Sequence, residues 1–218
     1  MWPKRWKEAD ISPIPKVDIP EVKADFRGVN VTPVIARSFE RTVYVCFSKK
    51  YIEEFLSDSQ FAYREGGSCV NALLKMQHVS LKALDKRGNV TVRVFTMDFS
   101  KAFDNVRHDL LLEKLKVCPL NPHIINWYIS FLADRKQRVA YNNIICDWKP
   151  VNKGTTQGSV SGPYLFNLFL NDLDIVHPEI TLIKYADDTT ILVEVPRDLP
   201  DKRKIKKNSQ YNVELRVL

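Results

Sequence analysis

The sequence predicts an α+β fold in which helices back an antiparallel sheet. Three observations predict it. Apolar residues recur at three-to-four spacing between Val34 and Phe55, which is the period of an amphipathic helix. Two β-branched runs, Thr181–Lys184 and Thr189–Val193, enclose Tyr185-Ala186-Asp187-Asp188 and read as a tight hairpin with the acids at or beside its turn. A third strand-like run starts at Val90 and ends on another acid, Asp98. Helical segments fall between these strand runs, an order that suits helices packed behind one sheet.

Along the chain, residues 1–34 carry Pro, Lys and short extended pieces such as Ile11-Ser12-Pro13-Ile14-Pro15-Lys16, which predict strands or irregular arms outside a packed core. In the Val34–Phe55 helix, broken at most once, the apolar stripe is Val34, Ile35, Phe39, Val43, Phe47, Tyr51 and Phe55. A second helix follows Ser68, with Val70, Leu73, Leu74, Met76 and Leu81 apolar. Arg87-Gly88-Asn89 is a turn before the strand that ends at Asp98. His108–Lys116 is helical. Asn121-Pro122 opens a further helix carrying Ile124, Ile125, Tyr128, Ile129 and Leu132. Val139–Trp148 forms a hairpin around Asn142-Asn143. Gly154-Thr155-Thr156-Gln157-Gly158 is a loop before a helix from about Gly162 to Leu173, apolar nearly all round and therefore buried.

Composition narrows the class. With 44% hydrophobic and 27% charged residues in 218, the chain can bury a real core. The net charge is +7, yet residues 197–218 hold seven basic and three acidic side chains, leaving only +3 elsewhere. That balance is compatible with a polyanionic partner and does not demand one. Cys46, Cys69, Cys118 and Cys146 are scattered, as are the four histidines, so neither a zinc site nor a disulfide framework is expected. Without a secretory signal pattern, they read as reduced thiols of an intracellular protein, in nucleus or cytoplasm. No apolar run reaches the length of a membrane span.

Asp98, Asp187 and Asp188 are the candidate chemistry. Taken singly, Asp98 is an ordinary helix N-cap and the Asp pair an ordinary turn. A sheet that gathers all three would need cations to offset their repulsion, and all-oxygen ligands suit Mg²⁺, with Mn²⁺ as the alternative. Such a centre performs phosphoryl transfer.

The motifs, in order, resemble the reverse transcriptase domain of non-LTR (LINE-type) retrotransposons. They are Trp6-Lys7-Glu8-Ala9, Ile14-Pro15-Lys16, Phe26-Arg27, Arg37–Arg41, Ser59-Gln60-Phe61-Ala62-Tyr63-Arg64, Met97–Asp104 with Val106 and His108, Gly154–Pro163 with Leu165-Phe166-Asn167, and Tyr185–Asp188. The resemblance implies the fingers and palm of a right-hand polymerase, with residues 1–89 fingers-like and 90–196 palm-like. Residues from about 119 to 150 are assignable to the fingers as well, and 197–218 form a basic tail, solvated or disordered. It implies an RNA-directed DNA polymerase acting on an RNA template, a DNA primer and deoxynucleoside triphosphates, with no membrane partner.

Residue by residue, the resemblance makes Asp98, Asp187 and Asp188 the catalytic acids and metal ligands, with the Phe99 carbonyl as a further metal contact. Phe103 matches a steric gate against a 2′-hydroxyl, Gln157 and Gly158 a loop packed on the incoming nucleotide, and Arg27 and Arg37 triphosphate contacts of the fingers. Tyr185 falls beside the primer end, and Arg64 supports the template-side fold. The residues alone leave alternatives open: a core Phe for Phe103, surface ion pairs for the arginines, a core Tyr for Tyr185. Lys202–Lys207 fits an import or nucleic-acid patch less well than a solvated tail. Arg27-Gly28-Val29-Asn30, Thr156-Gln157-Gly158 and Ser161 depart from the family pattern in loops and leave the acids intact. From Pro196 onward the motif resemblance stops, so a chain truncated before the thumb is expected, with a non-catalytic, RNA-binding remnant as the alternative to a working polymerase.

Overall fold

The computed structural model describes residues 1–86 and 90–196. The predicted turn at Arg87-Gly88-Asn89 and the tail from Arg197 lie outside the described residues. In chain order, strands β1 (Glu8–Pro15) and β2 (Phe26–Val31) precede helix α1 (Val34–Val43), a π turn (Tyr44–Ser48) and α2 (Lys49–Phe55). Helix α3 (Cys69–Leu84), strand β3 (Val90–Met97), α4 (His108–Val117) and α5 (Pro122–Leu132) follow. The remainder is β4 (Arg135–Tyr141), β5 (Ile144–Ile145), β6 (Lys149–Val151), α6 (Gly162–Phe169), β7 (Ile180–Tyr185) and β8 (Asp188–Pro196). The described elements form two compact units, Met1–Phe55 with Lys101–Phe169, and the described residues of 56–100 with those from Leu170 onward.

In the first unit the sheet runs β2-β1-β4-β5, with β6 on β4. β1 pairs antiparallel with β2 and parallel with β4, so this sheet is mixed. The β4–β5 turn is Asn142-Asn143 with both residues at positive φ, 47° and 64°, the conformation a two-residue hairpin loop needs. Asn121 caps α5 by accepting from the His123 amide at 2.9 Å, and Pro122 occupies the first turn. The N-terminal arm is not peripheral. Trp2 is buried, with its ring edge-on to Trp127 at 5.4 Å and to Phe131 at 5.1 Å. Large aromatic surface draws the arm inward despite its prolines.

The Val34–Phe55 helix forms with its one interruption at the π turn, but a different stripe is buried: Ala36, Glu40, Val43, Tyr44, Ser48 and Ile52. Val34, Ile35, Phe39, Phe47 and Tyr51 remain exposed. Glu40 explains the offset. Its carboxylate accepts from the Ser161 amide at 2.6 Å, just before α6, and it attracts the buried Arg135. Arg135 lies over the Phe131 ring and donates to the Phe131 carbonyl; burial lowers its pKa to about 10.

Burial holds the Glu40 carboxyl above the ordinary glutamate range, opposed by its Ser161 hydrogen bonds and by Arg135. A carboxyl raised in this way contributes stability while it is protonated. That contribution disappears as pH rises from the ordinary glutamate value through the raised one. The urea midpoint of the wild-type chain is therefore expected to fall across that window, and to be flatter in Glu40→Gln. Identical slopes would reject the assignment.

In the second unit the sheet order is β3-β8-β7, antiparallel throughout. Helix α3, capped by Ser68 accepting from the Asn71 amide, packs on the sheet. Ala72, Ile183 and Leu192 form its buried centre, with Phe61, Met76, Val79 and Val92 packed around them. The stripe predicted to be apolar contributes Met76 only; Val70, Leu73, Leu74 and Leu81 are exposed. Ala72 and Ala83, small and buried, are the residues that let the helix backbone approach its support.

Candidate active site

The acids are placed by strand register. β7 and β8 pair from Ile180↔Val193 to Tyr185↔Asp188, leaving Ala186 and Asp187 as a two-residue loop. Ala186 has φ 56°, a left-handed conformation that is uncommon for a residue with a Cβ. β3 pairs with β8 as far as Met97↔Thr189, and one further step sets Asp98 across from Asp188. Asp98, Asp187 and Asp188 thus share one end of one sheet. Asp98 and Asp188 are exposed and Asp187 is half-buried. Phe99 follows at the same sheet end, half-buried, and Tyr185 is 37% exposed, so it is no core tyrosine. Tyr63, at φ 53°, adds an aromatic ring: its hydroxyl pKa is raised by burial and by the nearby charge of Asp187.

The outer edge of β7 is braced by the segment before α3. The Phe61 amide donates to the Lys184 carbonyl at 2.9 Å, and the Lys184 amide to the Ser59 carbonyl at 2.7 Å. The Lys184 side chain is fully buried, and its ammonium donates to the carbonyls of Leu170 and Leu173 at 3.0 and 2.8 Å. A buried cation held by carbonyl oxygens fixes the strand that leads into the acidic turn. Arg64 donates to the carbonyls of Ser57 and Gln60, in keeping with a supporting role.

The remaining candidates belong to the first unit. Phe103 is half-buried and stacks on Phe166, ring centroids 4.1 Å apart, and its carbonyl accepts from the Thr155 amide at 2.8 Å. The Gln157 side-chain NH₂ donates to Asp104 at 2.7 Å, and the Gln157 backbone carbonyl accepts from the Asn30 amide at 2.9 Å. Gly158, at φ 95°, lies so close to β2 that a Cβ would come within 3.0 Å of the Asn30 carbonyl. The loop therefore joins the Phe103–Asp104 segment to the strand that carries Arg27. Arg27 and Arg37 are both exposed, Arg37 on α1.

Residues 14–217 match the protein family described as Reverse transcriptase (RNA-dependent DNA polymerase). The chain belongs to the reverse transcriptase family. The match runs past Pro196, where the motif resemblance stops, so the family covers part of the tail as well. Among its relatives, the "Probable RNA-directed DNA polymerase from transposon BS" of Drosophila melanogaster is 31% identical over 200 residues, covering 88% of this chain and 22% of that protein. The "RNA-directed DNA polymerase from mobile element jockey" of the same species is 28% identical over 202 residues, with the same two coverages. The chain thus spans about a fifth of the length of these non-LTR retrotransposon proteins.

Solved structures of telomerase share the fold. That from Candida tropicalis with a telomeric RNA fragment superposes with a TM-score of 0.61 at 14% identity, over 93% of this chain and 37% of the other. That from Candida albicans gives 0.58 at 12% identity, over 94% and 40%. The α+β fingers-and-palm class expected from the sequence is the class observed.

Reverse transcriptases as a family use divalent metal ions. Here the carboxylate chemistry and the register suit such ions. Among the described residues, though, no three carboxylate, imidazole or thiol groups converge closely enough to hold one. No helix among the described residues is long and apolar enough to cross a membrane. Sequence reasoning assigned no role to Lys184, Asp104 or Glu40. The signal for Lys184 was available, a lone charge between Ile183 and Tyr185 in an otherwise apolar strand.

Proposed function

We propose that this chain is the fingers-and-palm portion of an RNA-directed DNA polymerase that extends a DNA primer on an RNA template, inside the cell, in nucleus or cytoplasm. The observation that carries it is the arrival of Asp98, Asp187 and Asp188 at one end of the β3-β8-β7 sheet. Asp98, Asp187 and Asp188, with the Phe99 carbonyl, would hold Mg²⁺ or Mn²⁺, which supplies charge neutralisation at the phosphates and a more nucleophilic primer hydroxyl. In the reaction, the primer 3′ hydroxyl gives up its proton to water as its oxygen bonds to the α-phosphorus of a deoxynucleoside triphosphate. The bond to the α,β-bridging oxygen breaks, and pyrophosphate leaves.

The first unit holds the proposed nucleotide-binding residues. Gln157 and Gly158 form the surface beneath the incoming nucleotide. Arg27 and Arg37 supply guanidinium forks suited to its triphosphate. Tyr185, in the second unit, lies against the primer end, where its exposed ring can stack.

Primer extension on an RNA template tests the proposal, with deoxy- and ribonucleoside triphosphates compared. Deoxynucleotide incorporation is the expected result; a folded chain that incorporates nothing points to the non-catalytic alternative. Phe103 makes the comparison sharper. If its ring excludes the 2′-hydroxyl, Phe103→Val is expected to raise ribonucleotide use by about tenfold or more, the effect of relieving a single steric clash. Unchanged sugar selection would assign Phe103 to packing against Phe166 and refute the gate.

A further inference from the structure

Gln60 lies in the segment that braces β7, and it is almost fully buried. Its side-chain carbonyl accepts from two backbone amides, Ala62 at 3.0 Å and Ala186 at 3.2 Å. The Ala186 contact links residues 126 positions apart in the chain. Two amide donors fix the orientation of the side chain: the oxygen must face them and the NH₂ must face away. That NH₂ is buried and, among the described residues, has no hydrogen-bond partner.

The two amides sit at unusual points of the backbone. Ala186 occupies the left-handed region at the first position of the acidic turn, and Ala62 directly precedes Tyr63, which occupies it too. Left-handed residues with a Cβ persist where surrounding contacts hold them. The loop carrying Gln60 is itself tightly closed. Gly67 donates to the Arg64 carbonyl at 3.1 Å, and a Cβ on Gly67 would fall 2.2 Å from the Phe61 carbonyl. Gln60 therefore reaches the turn from a fixed base.

We propose that Gln60 is a positioning residue whose side-chain carbonyl clamps the Ala186 turn to the Tyr63 loop, and so sets where Asp187 and Asp188 stand on the sheet. Its bearing on catalysis presupposes that those two acids are the catalytic ones. The clamp itself does not presuppose this. Gln60→Met removes the two acceptor contacts at similar side-chain volume. Gln60→Glu retains an acceptor oxygen.

Amide hydrogen exchange at Ala186, read by NMR on the full chain labelled at alanine and leucine, tests the clamp. The wild-type Ala186 amide is expected to be protected although it lies in a turn. Gln60→Met is expected to speed its exchange about tenfold while Leu192 in the sheet is unaffected, and Gln60→Glu to restore protection. In primer extension, Gln60→Met should lower kcat by about tenfold with little change in KM for the nucleotide. An unprotected Ala186 amide in the wild-type chain overturns the proposal, a result that holds even where Gln60→Met fails to fold. Equal protection in wild type and Gln60→Met overturns it as well. Absence of primer extension in every chain, wild type included, counts against the polymerase assignment alone, since exchange still decides the clamp.

Discussion

Asp98→Asn is expected to abolish primer extension, by about two to three orders of magnitude or more, while leaving the fold intact. Asp98 is exposed just past β3, and its neighbour Met97 keeps the last pair of the β3–β8 ladder. An amide at that position retains the size of the side chain. What it loses is the negative charge. If Asp98 were only a helix cap, Asn would serve nearly as well, because the two cap about equally. Extension rate and thermal unfolding, measured on the same preparation, separate the two roles. Loss of activity at unchanged Tm supports the catalytic assignment, and retained activity refutes it.

Lys184→Met is expected to act in the opposite way, through stability first. The ammonium is completely buried and satisfies two backbone carbonyls, Leu170 and Leu173. Methionine fills the volume but leaves both acceptors facing an apolar side chain. Stranding buried acceptors that were bonded to a charged donor costs about 2–4 kcal/mol. In a chain of this size that corresponds to a fall of roughly 5–15 °C in Tm. The strand involved leads directly into Tyr185 and Ala186, so the acidic turn should lose hydrogen-exchange protection together with it. A melting temperature unchanged to within about 2 °C, by the size relation just used, would show that water or neighbouring groups can replace the ammonium.

Legibility in the sequence followed the range of the forces involved. The acidic hairpin could be read because its two apolar flanks and its turn are contiguous, and the Asn142-Asn143 turn because two asparagines tolerate the left-handed region that a two-residue loop requires. The helix starts after Ser68 and at Asn121-Pro122 were equally local, and in the fold Ser68 and Asn121 cap them. The faces of α1 and α3 were misjudged for a different reason. Apolar periodicity counts side chains, whereas burial of Glu40 depends on Ser161, which is 121 residues away, and burial of α3 rests on small alanines that periodicity weighs lightly. Trp2 shows the same effect, since its partners Trp127 and Phe131 come from α5.

The site divides along the same line. Asp98, Asp187 and Asp188 could be picked out as candidates because they lie at the borders of strand-like runs, and the register sets those borders at one end of one sheet. Gln60 and Lys184 were not, because their partners Ala186, Leu170 and Leu173 become neighbours only in the folded chain. A buried glutamine looks like any polar residue in a loop until its acceptor is found to hold a turn.

Primer extension on an RNA template with Mg²⁺, comparing the wild-type chain with Asp187→Asn/Asp188→Asn, tests the central claim most directly. Deoxynucleotide incorporation by the wild type that vanishes in the double variant is the predicted result. Incorporation that survives in the double variant contradicts the claim, as does a folded wild-type chain that incorporates nothing.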